Sequence, residues 1–186
     1  MKTYISILRG INVSGNKPIK MDTLREMYQD LGFRDVKTYV QSGNVIFSSE
    51  EMAPAILEQN ISRQIETDFG FEVPVLVLTV DKLSEIIASN PFVDDQDKEP
   101  SFLHVTFLAA PPAAYDQMTI ENKKQNGEKI SFSNTAVYLY CPNGYGRTKL
   151  TNNFLEARLK VKATTRNWKT TTELLRLASP SIGDSF

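Results

Sequence analysis

VKTYVQSGNVIF, residues 36–47, holds two short β-rich runs, Val36–Val40 and Val45–Phe47. Ser42, Gly43 and Asn44 part them with turn chemistry, so the stretch predicts a β-hairpin. Working outward to the N-terminus, TYISIL (Thr3–Leu8) is an apolar run of β-formers and predicts a buried first strand. Leu24, Met27, Tyr28 and Leu31 then recur at helical spacing, and Gly32 stands where a helix end takes a left-handed residue. On the other side, Ala53, Leu57, Ile61, Ile65 and Phe69 place an apolar group every four residues on a second helix, stopped by Gly70. VPVLVL (Val73–Leu78) closes the series as a strand. The order β α β β α β is the split βαβ unit of a ferredoxin-like sandwich, two helices on one face of a four-stranded antiparallel sheet.

The pattern then restarts. A helix is expected over Asp81–Ala88, followed by the acidic linker FVDDQDKEP. Phe102–Leu108 reads as a strand and Pro111–Met118 as the start of a helix. Ile130–Phe132 and Val137–Tyr140 form a hairpin turned at Ser133, Asn134 and Thr135. Phe154, Leu155 and Leu159 lie on one helix, and Leu174, Leu175 and Leu177 on a last one. The second half therefore reads β α β β α, with a helix where the fourth strand would be. The expected fold is α+β, two ferredoxin-like lobes with antiparallel sheets, the second ending in a helix. The expected domains are 1–79, a helix and linker over 80–100, and 101–186.

With 186 residues, 41% hydrophobic and 23% charged, the chain is long enough to bury a core and has the balance of a globular protein. No apolar run approaches the roughly 20 residues a bilayer span needs, and Arg9 interrupts the N-terminal apolar stretch before a signal-peptide core is complete. A cytoplasmic protein without membrane association is expected. One Cys (Cys141) and one His (His104) exclude a disulfide framework and a Cys/His metal cluster within the chain. The acidic run Asp94, Asp95, Asp97 and Glu99 lacks EF-hand spacing and reads as a solvated linker. No metal site and no cofactor is assigned.

A formal charge of −1 conceals a division along the chain. Residues 1–42 hold seven basic and four acidic side chains, and residues 43–100 three basic against twelve acidic. Over 141–170 the balance reverses, with Arg147, Lys149, Arg158, Lys160, Lys162, Arg166 and Lys169 against Glu156 alone. Such a stretch suits a phosphate-bearing ligand, and equally a solvated helix face.

LRGINV, YVQSGNV, PNGYGRTKL and TTRNW together resemble a bacterial family called domain of unknown function 1697, over nearly the whole chain. The resemblance implies architecture, a pair of ferredoxin-like units, and leaves activity open.

Three segments carry the candidate chemistry. RGINVSGNKPIK offers Arg9, Asn12 and Lys17 between a strand and a helix, where backbone N–H groups and cations can hold an anion; its glycines match neither a Walker loop nor the dinucleotide fingerprint. The hairpin adds Asn44. PNGYGRTKLTNN brings Asn143, Tyr145, Arg147 and Lys149 just before a helix: the glycines allow close backbone approach, Arg147 forms a fork for phosphate or carboxylate, and Tyr145 offers a ring for stacking. TTRNWKTTTE adds Arg166, Asn167 and the sole tryptophan, Trp168, with Thr170 and Glu173 spaced as a capping box. Each segment also has a purely structural reading as turn, anchor or cap. His104 lies in a strand pattern and Cys141 beside Pro142 reads as a small buried side chain, so no nucleophile with a positioned base is evident.

The function expected is binding of an anion, a nucleotide or nucleic-acid phosphate, in a basic cleft between the lobes. Two alternatives stay open: an enzyme acting on a phosphorylated or carboxylated metabolite through Arg9, Arg147 and Arg166, and a protein-interaction module guided by its charged halves. The RNP pattern of RNA-binding ferredoxin-like sheets is absent from the strand VIFSS.

Overall fold

The computed structural model describes residues 1–180. In chain order the elements are β1 (Lys2–Leu8), α1 (Met21–Asp30), β2 (Arg34–Tyr39), β3 (Asn44–Ser49), α2 (Pro54–Phe69), β4 (Val75–Thr79) and α3 (Val80–Ala88). There follow β5 (Leu103–Leu108), α4 (Gln117–Glu121), β6 (Lys129–Phe132), β7 (Ala136–Tyr140), α5 (Asn152–Leu159), β8 (Ala163–Asn167) and α6 (Trp168–Ala178). They form two four-stranded antiparallel sheets, ordered β2-β3-β1-β4 and β6-β7-β5-β8. The chain divides into two compact units, Met1–Ser84 with the segment from Glu173 onward, and Glu85–Thr172.

In the first unit, α1 and α2 cover one sheet face. Leu24, Met27 and Tyr28 from α1 and Leu57, Ile61 and Ile65 from α2 meet Tyr4, Leu8, Val45, Phe47 and Val77 of the sheet. Rings gather around Phe47, with centroids 4.6 Å away at Phe33, 5.4 Å at Tyr28 and 5.8 Å at Tyr4. Each large apolar side chain buried this way contributes about 1.5–3 kcal/mol. The Tyr28 hydroxyl finds Ser6 Oγ at 2.7 Å, which satisfies the two polar groups inside the layer. The opposite face of this sheet, with Ile5, Ile7, Ile46, Leu76 and Leu78, is buried as well, which is why β1 reads as a continuous apolar run.

The second unit repeats the frame bond for bond. Leu8 N–H donates to the Gly43 carbonyl at 2.8 Å, and Leu108 N–H to the Thr135 carbonyl at 3.0 Å. Arg9 N–H donates to Pro74 at 3.0 Å, and Ala109 N–H to Lys162 at 2.9 Å. Thr79 Oγ1 accepts from Lys82 N–H at the start of α3, and Asn167 Oδ1 from Thr170 N–H at the start of α6. Glu58 of α2 accepts the outward N–H of Val77 on edge strand β4; Glu156 of α5 does the same for Ala163 on edge strand β8. Carboxylates set this way also block pairing with a foreign strand.

Two expectations need correction. The second lobe does have its fourth strand, β8, whose sequence ATTRN hides it: it is a short edge strand, polar on its outer side, with Ala163, Thr164 and Arg166 buried. The helix expected to start at Pro111 begins only at Gln117, because Asp116 is its cap, accepting from the Thr119 N–H and hydroxyl, and adjacent prolines 111 and 112 have no N–H to offer. The acidic segment runs as a series of mostly exposed turns, in which Asp95 accepts from Asp97 N–H and pairs with Lys98.

Gly43 shows how tightly the first hairpin is locked. Its φ is +86°, and a Cβ there would lie 2.6 Å from Ile11 Cδ1 and 3.0 Å from Leu8 Cβ. Gly43→Ala is expected to lower unfolding free energy by about 2–4 kcal/mol, adding left-handed strain to overpacking. Gly70→Ala, at a helix end with open space around it, should cost only about 1–2 kcal/mol. Urea unfolding of the two variants checks the difference; equal losses would show that the contact with Ile11 carries no energy.

Candidate functional site

The two frames differ most in one connection. Four residues, 50–53, join β3 to α2, whereas eleven, 141–151, join β7 to α5. The longer loop holds PNGYGRTKL, and its residues alternate between anchoring and display. Cys141 is fully buried and its N–H donates to Phe102. Pro142 rests on Gly127, where a Cβ would come within 3.1 Å of its ring. Asn143 Nδ2 donates to the Asn126 carbonyl at 3.0 Å. Gly144, with φ of +92°, turns the chain into a single 3-10 turn over Tyr145–Arg147. Thr148 is buried and accepts Leu150 N–H, Leu150 is fully buried, and Thr151 caps α5 by accepting Phe154 N–H. Gly146, Arg147 and Lys149 are left exposed. Neither the Arg147 nor the Lys149 side chain bonds to any other described residue.

Tyr145 lies flat on His104 of β5, with ring centroids 4.6 Å apart and planes inclined by 20°. Burial pushes the His104 imidazole below its ordinary pKa, against the contact of Nδ1 with the Phe102 carbonyl. Burial likewise pushes the Cys141 thiol up to about 11, helped by the nearby Glu128 carboxylate. Glu128 is itself buried; one oxygen accepts Gln125 N–H at 2.7 Å and the other has no partner among the described residues.

Several expected ligand groups are consumed by the fold. Asn12, at φ of +55°, donates to the Ile19 and Gln41 carbonyls, both at 2.9 Å, and accepts Ile19 N–H at 2.8 Å. The loop after β1 is thereby tied to the hairpin turn. Asn44 is fully buried and donates to the Tyr39 carbonyl and Ser42 Oγ. Lys17 reaches the Glu72 carbonyl at 2.5 Å, and Arg9 is half-buried. Arg166 does not point outward: it is buried beside Tyr145, donates to the Thr165 carbonyl at 3.1 Å, and burial pushes its guanidinium down to about 10. Asn167, not Thr170 with Glu173, caps the last helix, which opens with half-buried Trp168; Glu173 instead pairs with Arg176.

One feature outside the expected set adjoins this loop's helix. A groove of about 430 Å³ lies beside α5 and the connection that follows it, lined by Asn153, Glu156, Ala157, Lys160, Val161 and Lys162. Its counterpart of about 380 Å³ between α2 and β4 is lined by Glu58, Gln59, Ser62, Arg63, Glu66 and Val75. The charge run over 158–162 was the available signal for Lys160 and Lys162; that they line a groove depends on how the chain turns at Lys160, the left-handed cap of α5.

Comparison with known proteins gives a family and a fold. A family model described as protein of unknown function (DUF1697) matches residues 1–138, which contain LRGINV and YVQSGNV and end before PNGYGRTKL and TTRNW. No curated protein matches the sequence. Among solved structures, the conserved bacterial protein SP0830 from Streptococcus pneumoniae is similar, with a TM-score of 0.71 and 22% identity, covering 96% of this chain and 99% of that one. No helix among the described residues is long and apolar enough to cross a membrane.

Two predictions separate fold from site. Asn12→Ala should cost about 2–3 kcal/mol, since three hydrogen bonds of a partly buried amide are lost. Arg147→Ala should stay within about 0.5 kcal/mol of the parent; urea unfolding of both variants provides the measurement, and a destabilised Arg147→Ala would assign that residue to the fold. For His104 the sign follows from its depressed pKa: the unfolded chain takes up a proton near pH 6.5 that the folded chain refuses. Stability is therefore full above that value and is lost as pH falls towards the folded pKa. The urea midpoint should drop as pH falls below about 6.5 in the parent and drop less in His104→Gln.

Proposed function

Because the chain belongs to the DUF1697 family of proteins of unknown function, we propose its role from its own surface: the second unit binds a phosphate-bearing anion, a nucleotide or nucleic-acid phosphate, on the loop PNGYGRTKL. The observation that carries this reading is the lengthened loop itself. Its Cys141, Thr148 and Leu150 hold it down, and Arg147 and Lys149 are displayed without an internal partner. The backbone that carries the guanidinium and the ammonium is already held in place, and the guanidinium fork matches the oxygens of phosphate. At the flanking glycines 144 and 146, nothing lies within 4 Å of the place a Cβ would occupy, so the backbone is open to close approach.

The enzymatic alternative has weaker support. Cys141 is buried with its thiol held protonated, and His104 is stacked beneath Tyr145 and held neutral. Neither is placed as an exposed nucleophile or base.

Thermal unfolding in the presence of pyrophosphate, adenosine monophosphate and a short oligonucleotide tests the reading. A ligand at 100 times its dissociation constant adds about 2.7 kcal/mol to native stability. The midpoint should rise for the parent and not for Arg147→Ala/Lys149→Ala, whose midpoint without ligand stays unchanged. An equal rise in both proteins, or none in the parent, would refute the site.

A further inference from the structure

Resting on that anion-binding reading, we infer that the groove beside α5 is a track for single-stranded nucleic acid, entered at Tyr145 and flanked by cations at its two ends. Arg147 and Lys149 immediately precede α5, while Arg158, Lys160 and Lys162 stand at its far end. The eight residues of α5, with Arg158 in the last turn, span about 12 Å. One small anion cannot bridge that distance; a chain of phosphates can.

The groove runs beside the helix that lies between the two groups in the chain. Asn153, Glu156, Ala157 and Lys160 line it at helical positions i, i+3, i+4 and i+7, so it follows one face of α5 from end to end, and Val161 and Lys162 complete it on the approach to β8. Glu156, the one acidic residue of the stretch, accepts Ala163 N–H at 2.8 Å with one oxygen. Ala157 leaves the floor low. The counterpart groove of the first unit has the same helix-and-edge-strand construction but carries Glu58 and Glu66 with Arg63. The fold alone therefore does not require a basic lining.

A single strand is favoured over a sheet-face complex of the RNP type, because Leu103, Val105, Phe107 and Tyr138 on one face of the second sheet and Val137 and Leu139 on the other are all buried. Exposed bases need an aromatic face to stack on. Tyr145, half-buried and backed by the His104 ring, stands at the end of α5 where the strand would enter.

Fluorescence anisotropy with a labelled oligothymidylate of roughly a dozen nucleotides, over a salt series, tests the track. About four phosphate contacts predict a log–log salt slope of roughly −3. Lys160→Gln/Lys162→Gln should weaken binding about tenfold and make the slope shallower by roughly 1.4. Arg63→Ala/Lys37→Ala, removing two exposed cations of the first unit, should change neither. Tyr145→Leu should weaken binding with the slope intact, and Tyr145→Phe should restore it.

If Lys160→Gln/Lys162→Gln binds like the parent while Arg147→Ala/Lys149→Ala does not, the track is wrong and the anion site stands. If the parent binds neither the oligomer nor pyrophosphate, both fall. Equal affinity for a duplex of the same length, or equal competition by polyglutamate, would overturn the assignment to a single strand.

Discussion

The central strand of each sheet is buried on both faces, and this constraint organises the protein. Tyr4 to Leu8 on β1 and Val105 to Leu108 on β5 leave no side solvated, so every polar group they carry needs a partner inside. Ser6 meets Tyr28, and Thr106 meets Thr165, each at 2.7 Å. A sheet with no free face cannot present its strands to a ligand. Contact with other molecules falls to loops, edges and the outer faces of the helices.

The edges are managed in the same way twice. A glutamate from the covering helix caps an outward N–H on β4 and again on β8, and a groove remains beside each capped edge. Repeated construction makes the differences informative. Where the first unit passes from β3 to α2 in four residues, the second has a loop of eleven, and where one groove adds Glu66 and Arg63 to its capping glutamate the other adds Lys160 and Lys162. Neither change is demanded by the core, since the equivalent bonds at the ends of the central strands are retained in both units.

The motifs LRGINV and YVQSGNV turn out to be one structural device. Asn12 bonds across to Gln41, Leu8 to Gly43, and Gly43 has no room for a side chain against Ile11. Their polar residues looked like ligand donors because an amide that binds a carbonyl and an amide that binds a ligand are the same residue in a sequence. What separates them is whether the partner lies within the chain, and Gln41 is 29 residues from Asn12.

The amino-acid sequence by itself determined the first lobe, the hairpins and most helix ends, because apolar periodicity and turn residues act over a few neighbours. Gly70, predicted as the stop of the second helix, is its left-handed cap. It also determined that a basic stretch follows residue 141. Only the tertiary structure decided that ATTRN is a strand, since its stability comes from pairing with β5 almost 60 residues earlier and not from local preference. Tertiary contacts also decided that Arg166 is buried, that Asn12 and Asn44 are internal braces, and that Lys160 and Lys162 line a groove. Burial and partnership are properties of pairs of residues distant in the chain, and a linear pattern carries no record of which pairs meet.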